Sequence, residues 1–364
     1  MSLYKENLLD TLQMMKKIAP EEMTAIVKRY RILRTIHLLE PVGRRTISLS
    51  LDFSERTVRN EIEKLHMQQL IDISREGMKV TKEGKQILTE IEPLVKQIDG
   101  VAAFEKKLAE LLGITEAYIA EGGCKGSQSI KKELGRIASE IVLKNITKES
   151  KIALTGGSTL ATMVEAMPFS SNKRAELVVP ARGSIGGILE QQADTLAAKL
   201  AEKLSASYKL LQLPDHMSQK AFEEMKQEPF VQETLKEIRQ ADVLILGVGN
   251  ALKMAKKRQV DSCVYEFLLK KGAVAEMLGY YLDSKGTIVH TSYSIGLRLE
   301  EISRMKKIII VAGGKNKAEA LAAVCPIMPQ AILITDTVTA KEIIKQIEKR
   351  NVKVCNEEKE EVNK

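Results

Sequence analysis

Between Ala117 and Thr335 the chain repeats one pattern: a run of four to six mostly apolar residues, a turn that often carries glycine, then an amphipathic stretch. The runs are Ala117–Ala120, Lys151–Thr155, Glu176–Val179, Tyr208–Leu213, Ala241–Leu246, Lys307–Ala312 and Ala331–Thr335. Several of them, such as Val243-Leu244-Ile245-Leu246 and Ile308-Ile309-Ile310-Val311, are apolar at every successive position. In an extended strand successive side chains point to opposite faces, so these strands need cover on both sides. Helical segments such as Gln191–Leu204 and Lys341–Lys349 supply that cover. The pattern predicts an α/β domain over residues 117–350, built on a doubly wound, mostly parallel sheet.

The first hundred residues follow another rule. Ala19-Pro20-Glu21-Glu22 starts a helix, with proline in the first turn and acids at the positive end of the dipole. Met23, Ile26, Val27, Tyr30 and Leu33 recur at helical spacing until Pro41-Val42-Gly43 stops the helix. A short helix is expected over Arg44–Leu51, then a turn, then a helix capped by Ser54 and running to about His66. Val58, Ile62 and Leu65 fall on one face of that last helix. Ile71–Ile73 and Met78–Val80, joined through Ser74-Arg75-Glu76-Gly77, read as a two-stranded wing, and Thr81–Lys96 returns to helix. This order is an α+β winged helix-turn-helix over residues 1–99. Residues 100–116 are expected as a linker helix and 351–364 as a charged, frayed tail.

Burying Val58, Ile62 and Leu65 leaves Ser54, Arg56, Thr57, Arg59 and Asn60 exposed, where a recognition helix meets base edges in the major groove. Arginine suits guanine and asparagine suits adenine, while serine and threonine serve phosphates or either base. Arg44 and Arg45 add backbone-directed charge. From Lys28 to Arg59 eight basic residues stand against three acidic ones, a local excess that fits double-stranded DNA as partner.

Composition narrows the remaining classes. The chain has 364 residues, 29% charged and 44% apolar, with a net charge of +8, which suits two globular domains. Cys124, Cys263, Cys325 and Cys355 show no metal-knuckle spacing, and His37, His66, His216 and His290 lie far apart, so no metal or cofactor site is expected. No apolar run reaches the ~20 residues that span a bilayer, and the N-terminus lacks the apolar core of a signal peptide, so no membrane association and a cytoplasmic location are expected.

Chemistry concentrates in the loops. Lys151-Ile-Ala-Leu-Thr-Gly156-Gly157-Ser158-Thr159 sends a buried strand through a Gly-Gly turn into a helix opened by two hydroxyls. Free N–H groups at a helix start make an anion cradle. Gly313-Gly314-Lys315-Asn316-Lys317 repeats the arrangement, with lysines beside the helix start. Pro180-Ala181-Arg182-Gly183 and Gly247-Val248-Gly249-Asn250, leading to Lys256-Lys257-Arg258, also follow strands. In an open α/β sheet such loops gather along one edge, where ligands bind. Together they suggest a ligand with at least one phosphate.

These motifs, taken in order as GGSTL, VVPARG, ILGVGN, AVAEMLGYYLD and VAGGKNKAEA, resemble the sugar-sensing repressors of the sorbitol-operon and deoxyribose-operon type, and within them the branch that controls central glycolytic genes in Gram-positive bacteria. The resemblance covers nearly the whole C-terminal domain. It implies a sensor fold similar to sugar-phosphate isomerases and a phosphorylated-sugar effector, fructose-1,6-bisphosphate. It places effector contacts at Gly156, Gly157, Ser158, Thr159, Arg182, Gln192, Lys257, Glu276 and Lys317. Ser158 stands where threonine is usual and keeps the hydroxyl. Lys257 stands where arginine is usual, keeping charge without the bidentate fork.

The competing reading is a sugar-phosphate isomerase or deaminase-like enzyme with a fused DNA-binding domain. Such chemistry needs an acid or base of matched pKa at the sugar carbons. Asn250-Ala251-Leu252 after Gly247-Val248-Gly249 offers neither acid nor imidazole, and Glu276 is the one pocket carboxylate in view. A pure scaffold leaves the basic face of the winged helix without a purpose. Paired half-sites require paired reading heads, so a homodimer or homotetramer is expected, with loops carrying Lys257, Glu276 and Lys317 near a subunit interface.

Overall fold

The computed structural model describes residues 11, 12, 14–120 and 128–362. These residues divide into two compact units. The N-terminal one runs to Lys107, inside the helix Val101–Leu112, and takes in residues 128–130 at the start of the helix Gln128–Asn145. The C-terminal one holds residues 108–120 and everything from Lys131 onward.

In the N-terminal unit the helices Pro20–Leu39, Arg44–Leu51 and Glu55–Met67 are followed by strands β1 (Ile71–Ser74) and β2 (Gly77–Val80) and by the helix Lys82–Ile98. Ile32, Ile36, Ile47, Val58, Ile62 and Ile71 are almost wholly buried in one core, so the apolar spacing of each helix becomes a common interior. β1 and β2 pair antiparallel, Ile71 opposite Val80 and Ser74 opposite Gly77, which forms the expected wing. Val42 adds a bridge to Met78 on the free edge of β2. Glu40 accepts a hydrogen bond from the Val80 amide at 2.8 Å and pairs with Lys85 at 3.0 Å, anchoring the root of the wing.

The C-terminal unit holds the remaining strands: β3 (Glu116–Ala120), β4 (Lys151–Leu154), β5 (Leu177–Pro180), β6 (Ser207–Tyr208), β7 (Val243–Leu246), β8 (Gly249–Asn250), β9 (Ala273–Met277), β10 (Tyr280–Asp283), β11 (Ile288–Thr291), β12 (Lys307–Val311) and β13 (Ala331–Asp336). Seven of them form a sheet in the order β3-β13-β12-β7-β4-β5-β6, and every pairing is parallel. Ile308, Ile309 and Ile310 are fully buried, as residues apolar on both faces of a covered strand must be. The strand order reverses between β4 and β7, so the loops after these two strands part to opposite faces and leave a crevice.

The structure departs from the sequence reading in four places. The run Tyr208–Leu213 pairs only over Ser207–Tyr208. Beyond it Leu211 and Leu213 are buried in irregular chain, the Leu211 amide held by Asp194 at 2.8 Å. A second, four-stranded antiparallel sheet, β11-β10-β9-β8, was not expected. Consequently Glu276 lies on strand β9 and Lys257 ends the helix Ala251–Lys257, rather than on loops. The tail does not fray at residue 351, because the helix from Thr337 continues to Val362. Cys124, one of the cysteines weighed for a metal site, lies outside the described residues. Among the described residues no His/Cys/Asp/Glu group has the geometry to hold a metal ion, and no helix is long and apolar enough to cross a membrane.

Candidate functional site

A cavity of about 400 Å³ opens in the crevice at the switch point. The loops after β4, β5, β7 and β12 line it, through Gly156–Leu160, Arg182–Ser184, Gly247–Gly249 and Ala312, Gly313 and Lys317. Gln192, Lys257 and Glu276 complete the set, so all nine effector contacts expected from the resemblance line one cavity.

Its first wall is the Gly-Gly turn. Gly157, at φ +135°, caps the helix Ser158–Ala166 in a conformation that L side chains avoid. A Cβ on Gly156 would stand 2.6 Å from the Gln191 carbonyl oxygen, so only glycine lets the two loops touch. The first N–H groups of that helix have no carbonyl partner within it and face the cavity end of the dipole. Thr155 fixes this loop to its neighbour by accepting a hydrogen bond from the Gly247 amide at 3.1 Å.

The second Gly-Gly loop is built differently. The Gly314 amide donates to Asp336 at 2.6 Å and to the Thr339 hydroxyl at 2.8 Å. Its amide is therefore spent inside the protein, and the loop serves as a mount for Lys317 instead of a second backbone cradle. The Lys317 ammonium donates to the Val248 carbonyl at 2.8 Å. Burial pushes its pKa below the ordinary lysine value; Glu276 opposes that shift, while Lys253 and Lys257 add to it. An anion entering here would relieve that strain.

The floor is a buried quartet of charges. Asp215 pairs with Arg182 and, at 2.5 Å, with Arg258. Glu276 accepts from Arg182 at 2.9 Å, from Arg258 at 3.0 Å and from the Gly279 amide at 2.9 Å. All four side chains are less than one tenth exposed. Burial opposes the Glu276 charge, but Arg258, Arg182 and the Gly279 amide outweigh it and hold the carboxyl below the usual carboxylate range. The turn that brings Gly279 under Glu276 is a two-residue hairpin loop, Leu278-Gly279, with positive φ at both positions. Two cations and two anions cancel, so Arg182 and Glu276 enter the site as a neutral scaffold and the net charge of the wall comes from lysines. Gln192 is likewise engaged: its carboxamide accepts from the Gly186 amide and donates to the Gly186 and Ile188 carbonyls, tying the loop at the rim. Sequence reasoning did not assign Asp215, Arg258 or Lys131 to this cavity, though all three line it. Arg258 lay within the basic run that was singled out, but Asp215 carried no local signal.

In the N-terminal unit, Arg44, Arg45, Arg56, Arg59 and Asn60 are exposed and Thr57 is half-buried, while Val58, Ile62 and Leu65 are buried. Ser54 caps the helix Glu55–Met67, accepting from the Thr57 amide at 3.1 Å, and its hydroxyl lies 2.8 Å from that of Thr57. These two hydroxyls therefore fix the helix start first, and the arginines and Asn60 form the free outer face. Glu61, buried on the opposite side, pairs with Arg29 at 2.7 Å and Lys64 at 3.2 Å and clamps this helix to Pro20–Leu39.

Comparison with known proteins gives this arrangement a context. Residues 96–345 match the Sugar-bind family of sugar-binding domains, and residues 25–95 match the CggR N-terminal DNA binding domain. The chain is 38% identical over 334 residues to the Central glycolytic genes regulator of Bacillus subtilis (strain 168), covering 92% of this chain and 98% of that protein. It is 36% identical over 335 residues to the protein of the same name from Priestia megaterium, again covering 92% and 98%. Among solved structures it resembles a SorC family transcriptional regulator from Enterococcus faecalis, with a TM-score of 0.62 and 32% identity over 66% of this chain and 99% of that one. The full-length Sorbitol Operon Regulator SorC from Klebsiella pneumoniae shares the fold, with a TM-score of 0.63 at 16% identity over 83% of this chain and 93% of that one.

Proposed function

The chain belongs to the family of central glycolytic genes regulators, in which a DNA-binding domain precedes a sugar-binding domain, and on that premise we propose that it represses glycolytic genes and that fructose-1,6-bisphosphate modulates its hold on operator DNA. It is a transcriptional regulator and not an enzyme, as its relatives are named. In this reading residues 1–99 read the operator through Arg56, Arg59 and Asn60, with Arg44 and Arg45 on phosphates, and residues 117–350 receive the sugar.

The observation that carries the effector assignment is the charge balance of the cavity. Arg182, Arg258, Asp215 and Glu276 neutralise one another, which leaves Lys257 and Lys317 opposite a helix N-terminus. Each phosphomonoester brings about −1.5 to −2 charges at neutral pH. A cavity with positive groups on facing walls fits a sugar phosphorylated at both ends. The same balance argues against turnover. Glu276 is held ionised by two arginines, so it is no matched acid or base, and no histidine is among the described lining residues.

Operator reading at paired half-sites implies a dimer or tetramer, and modulation then acts on how reading heads are paired. Calorimetric titration with fructose-1,6-bisphosphate, fructose 6-phosphate and inorganic phosphate tests the assignment. The bisphosphate is expected to bind tightest; phosphate binding as tightly as either sugar would overturn it.

A further inference from the structure

One more cation lines the cavity. Lys131 lies in the first turn of the helix Gln128–Asn145 and lines the cavity with Ser158, Thr159 and Lys317. Among the described residues it has no hydrogen bond or ion pair, whereas Glu133 and Arg136 on the same helix are paired with each other at 2.8 Å. Its position is fixed by packing. A Cβ on Gly135 would stand 2.5 Å from the Thr162 carbonyl oxygen, so the backbones of the helices Gln128–Asn145 and Ser158–Ala166 touch there. Gly313 meets the Leu134 side chain, where a Cβ would stand 2.7 Å from it. One helix thus braces both Gly-Gly loops.

The two helices follow the parallel strands β3 and β4 and therefore run in the same direction. One turn back from the Gly135–Thr162 contact, the first arrives at Lys131 and the second at Ser158 and Thr159. Lys131 therefore stands beside the free N–H groups of the anion cradle. Lys253 and Lys257 instead lie close enough to Lys317 to act on its charge, and Lys257 and Lys317 follow β7 and β12, across the switch-point crevice from β4.

We infer that Lys131 is a phosphate-binding residue of this cavity, pairing with the phosphate seated on the N-terminus of the helix Ser158–Ala166 while Lys257 and Lys317 serve the distal one. The inference rests on the sugar-phosphate reading above. It sorts the three lysines between two poles, and the pole that carries the backbone cradle is the one a monophosphate would occupy.

The test is calorimetry on the full chain with fructose-1,6-bisphosphate, fructose 6-phosphate and inorganic phosphate as probes. Lys131→Met should weaken the bisphosphate and the monophosphate alike, by about ten-fold, the size of one exposed charge-assisted hydrogen bond. Lys131→Arg should restore most of the loss, and Lys132→Met, at the neighbouring exposed position, should match wild type. Unchanged gel-shift affinity of Lys131→Met for operator without sugar would show the fold intact. Wild-type affinity of Lys131→Met for both sugars overturns the inference, as does a loss confined to the bisphosphate, which would move Lys131 to the distal pole. Wild-type protein that binds no probe overturns the sugar-phosphate reading itself.

Discussion

Replacing Lys317 by methionine should separate two effects that usually move together, ligand affinity and stability. The lysine stem is partly buried between the second Gly-Gly loop and Val248, and among the described residues its ammonium has one partner, the Val248 carbonyl at 2.8 Å. Burial already depresses its pKa, so the ligand-free fold bears a desolvation cost that methionine of similar shape removes. The ligand-free protein should therefore melt at the wild-type temperature or slightly above. With a sugar bisphosphate the sign reverses. One charge-assisted hydrogen bond to phosphate contributes about 1.5–3 kcal/mol, so affinity should fall by roughly ten- to a hundred-fold. At a ligand concentration a hundred times the wild-type Kd, stabilisation is about 2.7 kcal/mol; a hundred-fold weaker Kd leaves about 0.4 kcal/mol at the same concentration. For a unit of this size that is a shift in Tm of roughly 5–10 °C reduced to about 1 °C. Thermal unfolding with and without fructose-1,6-bisphosphate, alongside calorimetry, reads both quantities. A variant that loses several degrees without ligand yet keeps its ligand-induced shift would refute the reasoning, since Lys317 would then be a structural ion and not a ligand contact.

Three further substitutions probe the reading face and the charge quartet. Arg56→Ala and Arg59→Ala, on the exposed face opposite buried Val58 and Ile62, should each weaken operator binding by about 1–3 kcal/mol while leaving urea unfolding unchanged; wild-type gel shifts from both would displace the reading face from this helix. Asp215→Asn leaves Arg182 and Arg258 to share Glu276 alone and should destabilise the C-terminal unit by about 3–5 kcal/mol in urea unfolding. A change within about 1 kcal/mol would show that the quartet is not held by mutual neutralisation.

How much of this could be read in advance follows from the range of each signal. The parallel strands were legible because Ile308–Val311 and Val243–Leu246 are apolar on both faces, a pattern that needs no partner to interpret. The helix Glu55–Met67 was legible because its cap, Ser54, and its buried stripe, Val58, Ile62 and Leu65, all lie within twelve residues. The hairpin β9–β10 was missed because Leu278 occupies a positive-φ turn position that asparagine or aspartate normally announces. The run to Leu213 misled because Leu211 and Leu213 are buried by loop packing instead of strand pairing. The charge quartet was beyond local reading: Arg182 meets Glu276 across 94 positions and Arg258 meets Asp215 across 43. A sequence could nominate the cations, but only the fold shows which are already neutralised.

The central claim is that the sugar-phosphate cavity and the operator-reading helix are coupled through one protein. Coupling between two binding sites is reciprocal, with a free energy of typically about 1–3 kcal/mol. The direct measurement is to titrate fructose-1,6-bisphosphate into the full chain with and without saturating operator, at one fixed salt concentration because DNA affinity is steeply salt-dependent. The account predicts that operator weakens the sugar phosphate by the same factor, about five- to 150-fold, by which the sugar phosphate weakens operator. Equal sugar affinity in the two titrations would contradict it.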